Sequence, residues 1–151
     1  MRTISAATVS ALENDNFNLA TLIQFEFSTN IRLTDWDRNL TALSNTWVSS
    51  ANVLSFGSSS ESSDLAVNGI DITLSGVEQT YVAIFLTNNY IDVPVKLYRA
   101  VLNSADVVIG DPILVFDGLI TSFAIEDTED SSEISITTAS HWADFEKLNG
   151  R

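Results

Sequence analysis

Short segments in which apolar and polar residues alternate recur along this chain, and most of them end at a polar turn. In residues 19–27, for example, the apolar residues Ile23 and Phe25 alternate with the polar residues Gln24 and Glu26. A period of two is the side-chain period of a β-strand. A chain built from many such segments must bury one sheet face against another layer.

The remaining strand predictions follow from the same alternation and from the turn residues between the segments. We predict them at residues 31–34, 46–48, 52–56, 65–67, 70–74, 90–102, 113–125 and 134–137. Within the longest of these strands, Asp117 and Gly118 indicate a bulge, because a hairpin there would leave a stub of only four residues before it.

Two stretches carry helical periodicity. Residues 3–14 predict an N-terminal helix, with Thr3 or Ser5 as its cap and apolar positions at Ile4, Thr8, Ala11 and Leu12. Residues 78–89 predict a short inserted helix, with Ser75 as a possible cap and apolar positions at Val77, Tyr81, Ile84 and Phe85. The predicted fold class is therefore mainly β, a β-barrel or sandwich with an N-terminal helix and one short inserted helix.

Composition excludes several classes of function. The chain has 151 residues, which is the size of one domain, and its formal net charge is -13. Such a charge argues against nucleic acid or an anionic membrane as a partner, because both require a positive face. The absence of cysteine excludes disulfides, cysteine-ligated zinc, a cysteine nucleophile and an iron–sulfur centre. We expect no signal peptide and no membrane span.

The densest polar cluster lies at residues 35–39 (DWDRN). Its D-x-D-x-N pattern is that of a calcium loop, but Leu40 and Thr46 stand where glycine and glutamate are needed. We interpret the cluster as a rigid turn with an Asp–Arg pair and an anchoring tryptophan. A second cluster, residues 126–133, could gather a hard cation but is more typical of a solvated hairpin. We expect no cofactor and no metal site.

Catalytic signatures are missing from the sequence. His141 is the one histidine, and no G-x-S-x-G nucleophile elbow accompanies it. We therefore interpret His141 as a structural or interface residue and expect the protein not to be an enzyme. A hydrolase that uses two carboxylates stays open as a minor alternative, because 20 acidic residues create many accidental pairs.

Several segments together resemble one family of phage tail proteins. Residues 31–40 (IRLTDWDRNL) are similar to its F-T-D-x-D-R-x-L segment, and residues 64–72 (DLAVNGIDI) to its L-x-V-x-x-L-x-V segment. Residues 90–98 (YIDVPVKLY) and 116–120 (FDGLI) resemble two later strands, in the same order. The family includes the hub protein of gene transfer agents and, more distantly, lambda-like minor tail protein L.

The resemblance implies a β-barrel hub domain over residues 1–140, followed by a C-terminal tail or linker over residues 141–151. It implies a structural protein of the virion tail, a hub or tail-tip (baseplate) component between the distal tail ring and the central fibre or spike. Its implied partners are copies of itself, usually as a trimer, and other tail proteins, including the tape measure. The chain departs from the family pattern at two points. It lacks the C-terminal cysteine cluster of lambda-like relatives, and hub proteins are usually longer.

For that role, acidic lumen walls would repel DNA during ejection. We expect the protein contacts at the turn of residues 35–40, at the acidic hairpin of residues 127–132 and in residues 141–151. The candidate interface residues are Asp35, Trp36, Asp37, Arg38, Asp127, Glu129, Asp130, His141, Trp142, Phe145 and Arg151. The alternative function is a carbohydrate-binding β-sandwich on a tail or cell surface, with Trp36, Trp47 or Trp142 exposed and stacking on sugar rings.

Overall fold

A computed structural model describes residues 4–14, 17–49, 53–56, 69–75, 79–127 and 132–141. The described residues group into two compact units. The first unit draws on Met1–Phe25, Asn30–Ala51 and Lys96–Val115, and the second on Glu26–Thr29, Asn52–Val95 and Phe116–Arg151. No helix within the described residues is long and apolar enough to cross a bilayer.

The mainly-β fold class, with an N-terminal helix and a short inserted helix, is confirmed. The helices are α1 (Ala6–Glu13) and α2 (Gln79–Thr87). The described strands are β1 (Asn18–Phe25), β2 (Ile31–Thr34), β3 (Leu40–Ala42), β4 (Asn45–Ser49), β5 (Val53–Phe56), β6 (Asp71–Ser75), β7 (Pro94–Leu102), β8 (Ile113–Asp127) and β9 (Ser132–Ser140).

In the first unit, the strand order is β3-β4-β2-β1, followed by the part of β7 that belongs to this unit. β1 and β2 form the predicted antiparallel hairpin, with Phe25 opposite Ile31 and Leu22 opposite Thr34. β2 runs parallel to β4. β1 does not keep the burial alternation that its sequence indicates, because four consecutive residues from Ala20 to Ile23 are buried. Both faces of this strand are therefore covered.

The core of the first unit lies on one face of these strands. Trp47 is fully buried there, its indole N–H donates to the Ala42 carbonyl at 3.0 Å, and its ring meets that of Tyr98 edge-on. Burial of so large a side chain with its polar atom satisfied is strongly stabilising. The buried members of this cluster are Ala20, Leu22, Leu40, Ala42, Trp47, Ala100 and Leu102.

Helix α1 begins at Ala6, later than the predicted start at Thr3, and its cap is one of the two that the sequence offered. Ser5 is the N-cap, and its hydroxyl accepts from the Thr8 backbone N–H at 3.2 Å. Thr8 is the buried residue of the helix, and its hydroxyl donates to the Ile109 carbonyl at 3.3 Å. Ile4 and Leu12 are partly exposed, so the helix is anchored by a polar contact as much as by its apolar positions.

The turn between β3 and β4 is a two-residue turn without glycine. Leu43 and Ser44 have φ values of 52° and 58°. Positive φ at both central residues is what a type I′ hairpin turn requires, and Asn-Gly is its usual sequence. A left-handed conformation costs an L-residue roughly 1–2 kcal/mol. This hairpin, Leu40–Ser49, was not expected, because no strand was predicted between residues 34 and 46.

In the second unit, β8, β9, β6 and β5 follow one another as antiparallel neighbours. The apolar residues of three strands meet in cross-strand rows, since Ile136 lies opposite both Ile72 and Phe123. Phe123 also contacts the rings of Phe85, from α2, and Tyr90. These rows bury the inner face of the sheet.

Two local predictions were wrong, and two depend on residues outside the described ones. β8 passes straight through Gly118, and the bulge lies between Ile120 and Ser122. Ser75 is the last residue of β6, and residues 76–78, on which its predicted role as a cap depends, lie outside the described residues. Residues 90–93 form a turn with Asp92 at φ 64°, so β7 begins at Pro94. The predicted strand at residues 65–67 lies outside the described residues.

Candidate interaction surface

The turn of residues 35–40 is held to the first unit by reciprocal hydrogen bonds. The Asp35 N–H donates to the Thr21 carbonyl at 3.2 Å, and the Thr21 N–H donates to Asp35 Oδ1 at 2.7 Å. The Ser49 hydroxyl donates to the Trp36 carbonyl at 2.7 Å, and the Ser49 N–H donates to Asn39 Oδ1 at 2.8 Å. The turn is therefore rigid, as predicted from its sequence.

The predicted Asp–Arg pair is present, and it has a second acid. Arg38 Nε lies 3.2 Å from Asp37 Oδ1, and Arg38 Nη1 lies 3.2 Å from Asp106 Oδ2. The hydrogen bond and charge of Asp37, followed by the charge of Asp106, raise the pKa of Arg38 above its ordinary value. The guanidinium thus joins two turns that are 68 residues apart in the chain. Because the guanidinium is largely exposed to solvent, this bridge contributes little to stability.

The two tryptophans among the described residues, Trp36 and Trp47, do not form an exposed sugar-stacking platform. Trp47 has no exposed surface, so the prediction that it could stack on a sugar ring is wrong. Trp36 is half-buried and packs against the core cluster of the first unit. Its indole N–H is buried and has no hydrogen-bond partner among the described residues. Trp142 lies outside the described residues.

The side chains of the calcium-like pattern at residues 35–39 already have other partners for their oxygens. Asp35 and Asn39 accept backbone N–H groups, and Asp37 pairs with Arg38. Within the part of the chain that the structure describes, no three histidine, aspartate or glutamate side chains gather as metal ligands.

The acidic hairpin is described only at its base. Asp127 ends β8 opposite Ser132, which begins β9, and Glu126 lies directly opposite Glu133. Like charges at directly opposed positions of an antiparallel pair are destabilising. Glu129 and Asp130 lie outside the described residues. The base of this hairpin thus carries a repulsion that a basic partner would relieve.

His141 is bound to an acid that the sequence did not indicate as its partner. Its Nε2 lies 3.1 Å from Asp117 Oδ1, and both side chains are partly exposed. The contact lies beside the pair of Gly118 and Ser140, the last pair of the β8–β9 ladder at this end. His141 therefore fastens the end of β9 to β8. Phe145 and Arg151 lie outside the described residues.

The predicted interface residues are divided between separate places. Residues 35–38 belong to the first unit, and Asp127 and His141 belong to the second. Within the second unit, Asp127 and His141 lie at opposite ends of the β8–β9 ladder, roughly 30 Å apart at the rise of an extended strand.

Sequence reasoning missed the residues that complete these contacts, namely Thr21, Ser49, Asp106 and Asp117. Local spacing holds no signal for them, because each lies ten or more residues from its partners in the chain.

The fold defines a mainly-β protein whose candidate contacts are surface turns and strand ends. No known family model matches the sequence, and no curated protein does. Among solved structures, the chain is similar to a chain of the "Virion of native gene transfer agent (GTA) particle", with a TM-score of 0.71 and 13% sequence identity. The match covers 97% of this chain and 48% of that one, so this chain spans about half the length of its neighbour.

Proposed function

We propose that this chain is a structural protein of a phage-like virion, and within it a hub or tail-tip component of the tail. The observation that carries the proposal is the fold, which matches a chain of a gene transfer agent virion over nearly the whole length of this protein. The resemblance of residues 31–40 to a segment of phage tail hub proteins is an independent argument from sequence.

The site geometry supports a structural role. Residues 35–40 form a rigid surface turn, and the Asp117–His141 contact fastens a strand end. Fixed surface turns suit lasting protein contacts, since little side-chain and loop entropy is lost on binding. The proposed partners are copies of this chain, usually as a trimer, the distal tail ring, the central fibre or spike, and the tape measure protein.

The test is to locate the protein on intact particles. Antibody against this chain, detected with colloidal gold, is imaged on purified virions by electron microscopy. We expect label at the distal end of the tail, and pre-immune serum on the same particles is the control. Label on the capsid would support a virion protein and contradict the tail-tip role. Protein that is found free in the lysate, with unlabelled particles, would contradict the whole proposal.

A further inference from the structure

The β3–β4 hairpin is an uncharged surface on a strongly acidic chain. No charged side chain occurs in residues 39–60, which include the whole hairpin, whereas the chain has 7 basic and 20 acidic residues. The outward side chains of the hairpin are exposed, and they are Thr41, Leu43, Ser44, Thr46 and Val48. The hairpin therefore offers hydroxyl and aliphatic groups to a partner and no carboxylate.

The tip of the hairpin has an unusual residue for its conformation. Leu43 is 41% exposed and has a φ of 52°, where glycine or asparagine would be unstrained. Neither folding of the turn nor burial in the core explains a leucine here. The combination of a strained backbone position and an exposed apolar side chain indicates a binding role.

The turn is nevertheless held firmly. The Trp47 indole N–H donates to the Ala42 carbonyl at 3.0 Å, and the Asn45 side-chain amide donates to the Leu43 carbonyl at 2.7 Å. Both bonds lie next to the turn, so the conformation of Leu43 is set before any partner binds. Such preorganisation lowers the entropy lost on binding.

β3 also has an unpaired side. It is the end strand in the order of the first unit, and among the described residues it pairs with β4 alone. In a hairpin closed by a two-residue turn, Ala42 and Asn45 are the hydrogen-bonded pair, so Thr41 and Thr46 form a non-hydrogen-bonded pair. The backbone N–H and C=O of Thr41 therefore point away from β4, towards a possible partner strand.

We propose that the β3–β4 hairpin, with Leu43 at its tip, is the surface on which a second copy of this chain docks. Electrostatic repulsion between copies points to this occupant. Two copies, each with a net charge of -13, repel one another, so their contact must exclude carboxylates. A basic partner would instead favour the acidic turns. The inference rests on the proposed role as an assembly protein and adds to it the surface of self-contact.

The experiment compares three versions of the full chain by sedimentation equilibrium: the parent, Leu43→Asn and Leu86→Asn. Asparagine tolerates positive φ, so Leu43→Asn keeps the turn and removes only the apolar side chain. Leu86 is the matched control, because it is 64% exposed and lies in α2, in the second unit. Circular dichroism and melting temperature establish that each variant is folded.

We expect the parent to self-associate below about 100 µM, Leu43→Asn to weaken association at least about tenfold, and Leu86→Asn to leave it unchanged. Added sodium chloride should strengthen association of the parent, because it screens the repulsion between like-charged copies. A parent that stays monomeric, equal association of the parent and Leu43→Asn, or association weakened by salt would each overturn the inference. Tail label on particles together with any of these results would leave the proposed function standing.

Discussion

Thr138 shows how one buried hydroxyl connects β9 to the residue that precedes β6. The residue is 2% exposed, its hydroxyl donates to the Ile70 carbonyl at 2.7 Å, and it accepts from the Ile70 N–H at 3.1 Å. The two bonds lie in the interior, where an unsatisfied backbone group is costly. In the local sequence, Thr138 differs from its exposed neighbour Thr137 only in the face of the strand to which it belongs.

Replacing this hydroxyl is therefore expected to destabilise the protein. Thr138→Val keeps the shape but leaves the Ile70 N–H without its acceptor, so the free energy of unfolding should fall by about 1–3 kcal/mol. The control is Thr121→Val, on β8, whose exposed hydroxyl donates to the Thr137 carbonyl at 3.1 Å and whose loss should cost under about 0.5 kcal/mol. Urea unfolding measures both, and equal losses in the two variants would contradict the argument.

Gly118 explains why an Asp-Gly pair lies inside a strand. A Cβ at this position would collide with the Ala139 carbonyl oxygen of the paired strand. Glycine is needed here for the close approach of two backbones and not for a turn. The sequence indicated correctly that the pair is not a hairpin, but the close approach that requires glycine is visible only in the paired structure.

At the level of secondary-structure elements, the β8–β9 hairpin combines an apolar interior with a repulsive end. Phe123 lies opposite Ile136 and Ile125 opposite Ile134, whereas Glu126 lies opposite Glu133. The apolar pairs stabilise the ladder, and the acidic pair works against its closure. The acidic residues were predicted as a solvated turn, but three of them, Glu126, Asp127 and Glu133, lie in the strands instead.

Removal of one of the opposed carboxylates should stabilise the hairpin. For Glu133→Gln we expect a gain of about 0.2–1 kcal/mol in the free energy of unfolding at low salt, which shrinks as salt is added. Asp71→Asn is the control, because it also removes one carboxylate from the second unit but lies opposite Thr137. Chemical unfolding at two salt concentrations measures the free energy of unfolding of both variants. An equal gain in both would show that the net charge, and not the opposed pair of carboxylates, is responsible.

For the molecule as a whole, net charge is the feature with the widest consequence. The chain has 20 acidic and 7 basic residues, and its arginine bridge at Arg38 is exposed. Repulsion among the excess carboxylates favours expanded states over the folded one. This destabilisation should be sensitive to salt, because it acts between solvent-exposed groups.

We therefore expect thermal stability to rise with ionic strength. Between about 20 mM and about 500 mM sodium chloride, the melting temperature should increase by several degrees, since screening removes repulsion from the folded state. Differential scanning calorimetry measures this shift and shows whether the two compact units unfold together or separately. A melting temperature that falls over this range would mean that attractive ion pairs outweigh the repulsion.

The amino-acid sequence by itself determined the features that depend on local geometry. Alternating side chains predicted β1, β2, β7 and β8, because a strand turns successive residues to opposite faces. Helical spacing predicted α1 and α2, and Ser5 was among the two expected caps. Net charge and the absence of cysteine likewise required no structure.

Only the tertiary structure decided which side chains meet and which are covered. The pairing of Arg38 with Asp106 and of His141 with Asp117 joins residues that are distant in the chain. The complete burial of Trp47 depends on strands packed around it, and so does the turn at Leu43, whose left-handed conformation is imposed by the closing of the β3–β4 hairpin. Contacts of this kind are selected by long-range packing, which periodicity within a single segment does not encode.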